Sequence, residues 1–180
     1  MILLYNKHYK KSICKFVLFS IFEMINLHKR KDIHMDRIEK AKELFTSGFN
    51  CSQAVVGAYS DLFGMSAKDA MRAAEGLGGG IGRLRRTCGA VTAMAVLAGL
   101  KYSDAEPCDV KTRTLIYEKV REMVKAFEDK NGTSICGDLL GVNVSSDARP
   151  DERTAQYYKK RPCVGCVEDC AAIIEKLLLD

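Results

Sequence analysis

From Met35 onward, apolar residues recur at helical spacing, separated by short polar or glycine-bearing breaks. Ile38, Ala41, Leu44 and Phe45 mark one face of a first predicted helix from about Met35 to Ser47, which Gly48 stops. Asn50 is suited to cap a second, placing Cys51 in its first turn. Ala54, Val55, Ala58, Leu62 and Phe63 form its apolar side, and it ends at Gly64. Ser66, with Asp69 three positions on, is a partial capping box for a third helix. Then comes the stretch around which the chain is organised, Gly76 to Leu100: a glycine-rich loop, a basic elbow (Arg83, Arg85, Arg86), and an uncharged run opened by Thr87 and Cys88. The run falls short of the roughly 20 apolar residues that span a bilayer. It reads as a helix apolar on every side, buried at the centre, with Ala90, Ala93, Ala95 and Ala98 allowing close neighbours.

Beyond a polar connection, Asp109 to Lys130 is a long amphipathic helix with Leu115, Ile116, Val120, Met123, Val124 and Phe127 facing inward. Cys136 falls in a short turn or helix ahead of Gly141. Residues 142–161 read as a loop and a short helix, with Tyr157 and Tyr158 packing down. Pro162 suits the first turn of a last helix, on which Cys163, Cys166 and Cys170 share a face. The pattern predicts an all-α fold, a single compact bundle of about six helices around the small-residue central one.

Charge changes little. The net charge is +5, and much of the excess sits before Met35. The remainder is near neutral and lacks a basic stripe with stacking aromatics, so nucleic acid is not an expected partner. Residues 1–34 carry lysines ahead of the apolar run Phe16 to Phe22, but that run is bracketed by Lys15 and Glu23, no small-residue cleavage site follows, and it is too short to span. They read as an extension outside the functional domain, which covers 35–180; a peripheral membrane anchor is the alternative. The expected location is cytoplasmic, with no integral membrane span.

Chemistry rests on cysteine. There are eight cysteines, too wide apart for a small stapled scaffold, and all three histidines precede Met35. A Cys–His pair, a Ser–His–Asp triad and a Cys₂His₂ zinc site are therefore excluded within 35–180, unless the N-terminal segment folds back. Cys88, in the first turn of the central helix behind three arginines and capped by Thr87, is placed to favour the thiolate; the plainer reading is an inert buried cysteine. The glycine loop lacks G-x-G-x-x-G spacing and follows a helix, so it is not a dinucleotide fingerprint. Its glycines permit a tight turn, and its amides with Arg83, Arg85 and Arg86 could cradle an anion. C-x₂-C-x₃-C at Cys163, Cys166 and Cys170 resembles part of an iron–sulfur spacing without completing it, and buried small hydrophobes explain it equally well.

Phe49-Asn50-Cys51-Ser52-Gln53, Gly78-Gly79-Gly80 with Arg83, Cys88-Gly89-Ala90-Val91-Thr92, Cys136 followed by Leu139-Leu140-Gly141, and Cys163 before the last helix together resemble the C_GCAxxG_C_C family, small bacterial and archaeal proteins defined by four cysteines. The resemblance covers almost all of 35–180. Ala93 stands where the motif has its final glycine; Cys166 and Cys170 are additional to the four, and Cys108 is incidental. The resemblance implies a redox role for Cys51, Cys88, Cys136 and Cys163, with Gly79, Gly80 and Arg83 as candidate cofactor-binding residues. No C-x-x-C-H is present, so covalent haem is not indicated. Three functions follow. One is a thiol–disulfide or electron-transfer protein, whether or not it is an oxidoreductase enzyme, acting with a redox partner protein or a small thiol or disulfide. In the second, the same four cysteines, with Cys166 and Cys170 available, ligate zinc or an iron–sulfur cluster. The third is a non-catalytic helical interaction protein. Under the first two, the four cysteines should converge, because most sit at predicted helix starts.

Overall fold

The structure, a computed structural model, describes residues 37–107, 109–141 and 147–180. The readings of residues 1–34 and of Cys108 lie outside these. The fold is all-α, with no strand among the described residues. α1 covers residues 37–46, α2 Cys51–Tyr59, α3 Ala67–Ala74, α4 Gly89–Tyr102, α5 Val110–Asn131, α6 Cys136–Leu140, α7 Ala155–Lys160 and α8 Cys163–Ile173. The short α6 and α7 raise the count above the six or so long segments legible in the sequence. Residues 37–180 form one compact unit.

α4 lies at the centre as its composition requires. Gly89, Ala90, Val91, Ala93, Met94, Leu97 and Ala98 are buried, and α2, α5 and α8 pack around it. α2 is more deeply enclosed than its pattern suggested: all nine of its residues are buried, Ser52 and Gln53 included. Its start is fixed by a complete capping box. Asn50 Oδ1 accepts from the amides of Ser52 and Gln53 at 3.1 and 3.0 Å, while Gln53 Oε1 accepts from the Asn50 amide at 3.1 Å. α2 closes through a 3₁₀ turn, Ser60–Phe63, onto Gly64 in the left-handed conformation. Leu62, expected on the apolar side, falls on this turn and is exposed. On α5 only Met123 and Phe127 are fully buried; Ile116, Val120 and Val124 pack partly against the core, and Leu115 points to solvent instead of inward.

Two features set the position of the site. The first is the loop after α3. Gly79, Gly80, Ile81, Gly82, Arg83 and Arg85 all have positive φ, so the chain makes a left-handed turn before α4. The second is a backbone clasp between that turn and the segment before α6. Thr87 forms an antiparallel bridge with Ile135; the Cys88 amide donates to Ser134 O at 2.8 Å and the Cys136 amide to Arg86 O at 2.7 Å. The clasp overturns one expectation. Thr87 is drawn into the bridge in extended conformation and does not cap α4; Cys88 itself occupies the cap position.

At the other end of α2, the Tyr59 ring is fully buried, and its hydroxyl donates to Ala171 O at 3.3 Å. Glu175, on the closing π-helical turn Ile174–Leu179, is buried beside it. Arg37 donates to Ala58 O at 2.6 Å and forms a two-pronged pair with Asp61 at 2.8 and 2.9 Å.

Candidate functional site

Four helix starts carry the four cysteines of the sequence pattern. Cys51 is the first residue of α2, Cys88 the cap of α4, Cys136 the first residue of α6 and Cys163 the first of α8. All four line one cavity of about 370 Å³. Cys166, one turn into α8, lines it too, whereas Cys170 is fully enclosed in the core. None of these six cysteines is in a disulfide. Cys163 is the most exposed of them and the others are buried.

Within this group three thiols influence one another's acidity: Cys51 and Cys88 do so, and so do Cys88 and Cys166. Cys166 thus joins the four cysteines of the sequence pattern on the cavity. Its i+3 relation to Cys163 was visible, but contact with Cys88 depends on how α8 meets α4.

The glycines explain the closeness. A Cβ on Gly89 would lie 2.6 Å from Cys51 Sγ, and one on Gly80 would lie 2.7 Å from Cys136 Cβ. Gly79, at φ +64°, turns its amide toward the Cys51 sulfur. The loop is therefore a mould for two thiols as well as a turn.

A family model described as Putative redox-active protein (C_GCAxxG_C_C) matches residues 49–177. The chain belongs to this family. No curated protein and no solved structure matches it. Gly89, which follows Cys88 in this chain, has no side chain and so leaves room for Cys51.

The acidity of this family member's thiols runs opposite to the expectation from helix starts. The Cys166 hydrogen bond and burial push Cys88 up to about 12, against the opposing influence of the Cys51 contact. Cys51 is raised by its bond to Cys88 and by burial, although the Gly79 and Ser52 amides favour its thiolate. Burial raises Cys163 to about 11, and raises Cys136 and Cys170 as well. A helix terminus contributes about 0.3–1 kcal/mol in favour of an anion. Removing a thiolate from water costs up to several times that, so desolvation wins. Nor do the arginines reach Cys88. Arg83 pairs with Asp151 at 2.7 Å, Arg86 is exposed, and buried Arg85 has Nη1 4.0 Å from Cys136 Sγ and Nη2 3.8 Å from Asp151. Cys136 thus has a guanidinium beside it, and Arg161 and Arg153 act in the same direction on Cys163.

The lining of the thiol cavity is also cationic. Arg83, Arg85, Arg153 and Arg161 line it against two carboxylates, Asp151 and Glu75. Asp151 accepts from both Arg83 and Arg161 at 2.7 Å, which holds its carboxyl below the usual range. Of the candidate cofactor-binding residues, Gly79 and Arg83 line the cavity while Gly80 is buried behind Cys136. Among the described residues, no group of three or more His, Cys, Asp or Glu side chains is placed to hold a metal ion. Nor is any helix among them long and apolar enough to cross a membrane.

Proposed function

We propose that the protein is a thiol–disulfide redox protein in which Cys51, Cys88 and Cys166 act as one relay. The observation that carries this reading is the placement of all three on one cavity, with Cys51 Sγ against Gly89, the residue next to Cys88. Oxidation removes two electrons and two protons from two of these thiols as the S–S bond forms; a disulfide partner accepts both and leaves as two thiols. Cys163, the most exposed thiol on the cavity, is the one an incoming partner meets first, and Cys136, beside Arg85, is one whose thiolate a cation steadies. Lowered acidity keeps Cys51, Cys88, Cys136 and Cys163 protonated near neutral pH. Such a site resists indiscriminate oxidation, because the thiolate is the reacting form.

The test is oxidation of the anaerobically reduced protein with diamide, a neutral thiol oxidant, followed by peptide mapping. A Cys51–Cys88 or Cys88–Cys166 disulfide is expected, and Cys88→Ser should abolish formation of both while leaving the far-ultraviolet helical signal intact. Unchanged dithiol oxidation in that variant would refute the relay.

A second reading is favoured by the convergence of five cysteines on one cavity: that they ligate a metal or an iron–sulfur cluster. The spacing does not fit a single ion, since no three of these ligands are grouped to hold one among the described residues. Iron and acid-labile sulfide in anaerobically purified protein would favour the cluster over the relay.

A further inference from the structure

The thiol cavity has a second chemistry on its walls that disulfide exchange does not require. Four arginines and two carboxylates line it, a surplus of two positive charges. Asp151 is already shared among Arg83, Arg161 and, more distantly, Arg85. Among the described residues, Arg153 has no carboxylate partner. Its guanidinium lies 5.0 Å from the Phe45 ring and 4.7 Å from the Tyr157 ring, and its buried Nη1 makes no hydrogen bond. Arg161 stacks on the same Tyr157 ring at 4.4 Å. Arginine is the side chain whose planar donors match carboxylate and sulfonate, and aromatic stacking holds it in place for that purpose. A cavity of about 370 Å³ is in the range that takes a small molecule.

Resting on the redox reading above, we infer that this cavity binds a small disulfide bearing carboxylate or sulfonate groups, the anionic end held by Arg153 and Arg161 and the sulfurs turned toward the cysteine cluster. A cavity thiolate attacks one sulfur of the ligand, forming a mixed disulfide and releasing one small thiolate. A second cysteine thiolate then displaces the other. The two cysteine protons end on the two released thiols, and two electrons pass from the protein to the ligand.

The test uses the reduced full-length protein without oxygen and three disulfides of similar size but different charge: dithiodipropionate (anionic), hydroxyethyl disulfide (neutral) and cystamine (cationic). Each oxidation rate is divided by its rate with the urea-unfolded chain. Dithiodipropionate should be favoured by about tenfold over the neutral reagent and cystamine disfavoured, with the preference shrinking as salt is added. Arg153→Gln and Arg161→Gln should each bring the anionic-to-neutral ratio toward one. Equal normalised rates for all three in the unmodified protein would overturn the inference without reference to any variant's folding. Calorimetric titration with adipate, a redox-inert dicarboxylate of comparable length, reads the anion site by itself: saturable binding weakened several-fold by Arg153→Gln supports it, and absence of binding overturns it. If adipate binds but diamide forms no disulfide, the anion site stands and the relay falls. If diamide forms the disulfide and adipate does not bind, the reverse holds.

Discussion

The two ends of α2 bury polar chemistry in opposite ways. At the Tyr59 end, the groups are a buried phenol, the buried carboxylate of Glu175 and the half-buried guanidinium of Arg37, which is paired with Asp61. Charge there is matched by charge or by hydrogen bonds and enclosed by packing. At the Cys51 end, the buried groups are thiols whose ionisation burial opposes and which line a cavity. The first arrangement holds a helix in register. The second leaves reactive atoms with little to restrain them electrostatically, and so free to change bonding partners. The difference shows why thiols can be packed in number in a core where carboxylates could not: burial protonates them at little cost near neutral pH.

The comparison breaks first on stability. Tyr59→Ala removes a fully buried aromatic and should cost about 3–5 kcal/mol in urea unfolding. Cys51→Ala removes a single sulfur and should cost about 1 kcal/mol. Equal losses would make the thiol end as structural as the other. Gly89→Ala should come next, at about 1–3 kcal/mol, because its Cβ would lie 2.6 Å from Cys51 Sγ and 3.0 Å from the Leu77 carbonyl. Its sharper effect should be on the relay, as a slower Cys51–Cys88 disulfide in peptide mapping.

The smallest effect per step is on pH dependence. An unfolded cysteine ionises near about 8.5, whereas folded Cys163 and Cys88 hold their protons to about 11 and about 12. Above about 8.5, the unfolded chain therefore binds fewer protons, and stability falls as pH rises, by on the order of 1 kcal/mol per pH unit for each such thiol. The contribution is complete below that pH and is gone once the folded thiols also ionise. Tyr59 is raised by burial and by Glu175, so it acts in the same direction, but only above about pH 10, where an unfolded tyrosine begins to ionise. Urea midpoints from pH 8 to pH 11 should thus show the thiol end weakening first, and Cys88→Ser should flatten the early part of the curve.

Much of this was legible in the chain. Asn50 and Ser66 act locally, each bonding to amides two or three residues on, so the helix starts they mark could be read directly. The uncharged stretch after Cys88 had no exposed face to offer, so its central position followed. What could not be read depends on long-range partners. Thr87 looks like a cap until Ile135 pairs with it. Arg83 and Arg85 look like neighbours of Cys88 until Asp151 and Cys136 claim them. Cys166 looks supernumerary until α8 brings it to Cys88. Leu115 and Leu62 show the limit of periodicity, which finds a helix's apolar stripe more reliably than its edges.

Ile81, Arg83 and Arg85 sit in the left-handed turn with side chains that oppose it, at roughly 1–2 kcal/mol each relative to the right-handed conformation. Glycine would relieve that strain at every one of them. At two of the three, it would also remove a cation from the thiol cavity. Selection for a sturdier protein and selection for a working cavity therefore favour different residues in this turn. An effort to thermostabilise the protein by relaxing its backbone would find its easiest gains where the site is most readily lost.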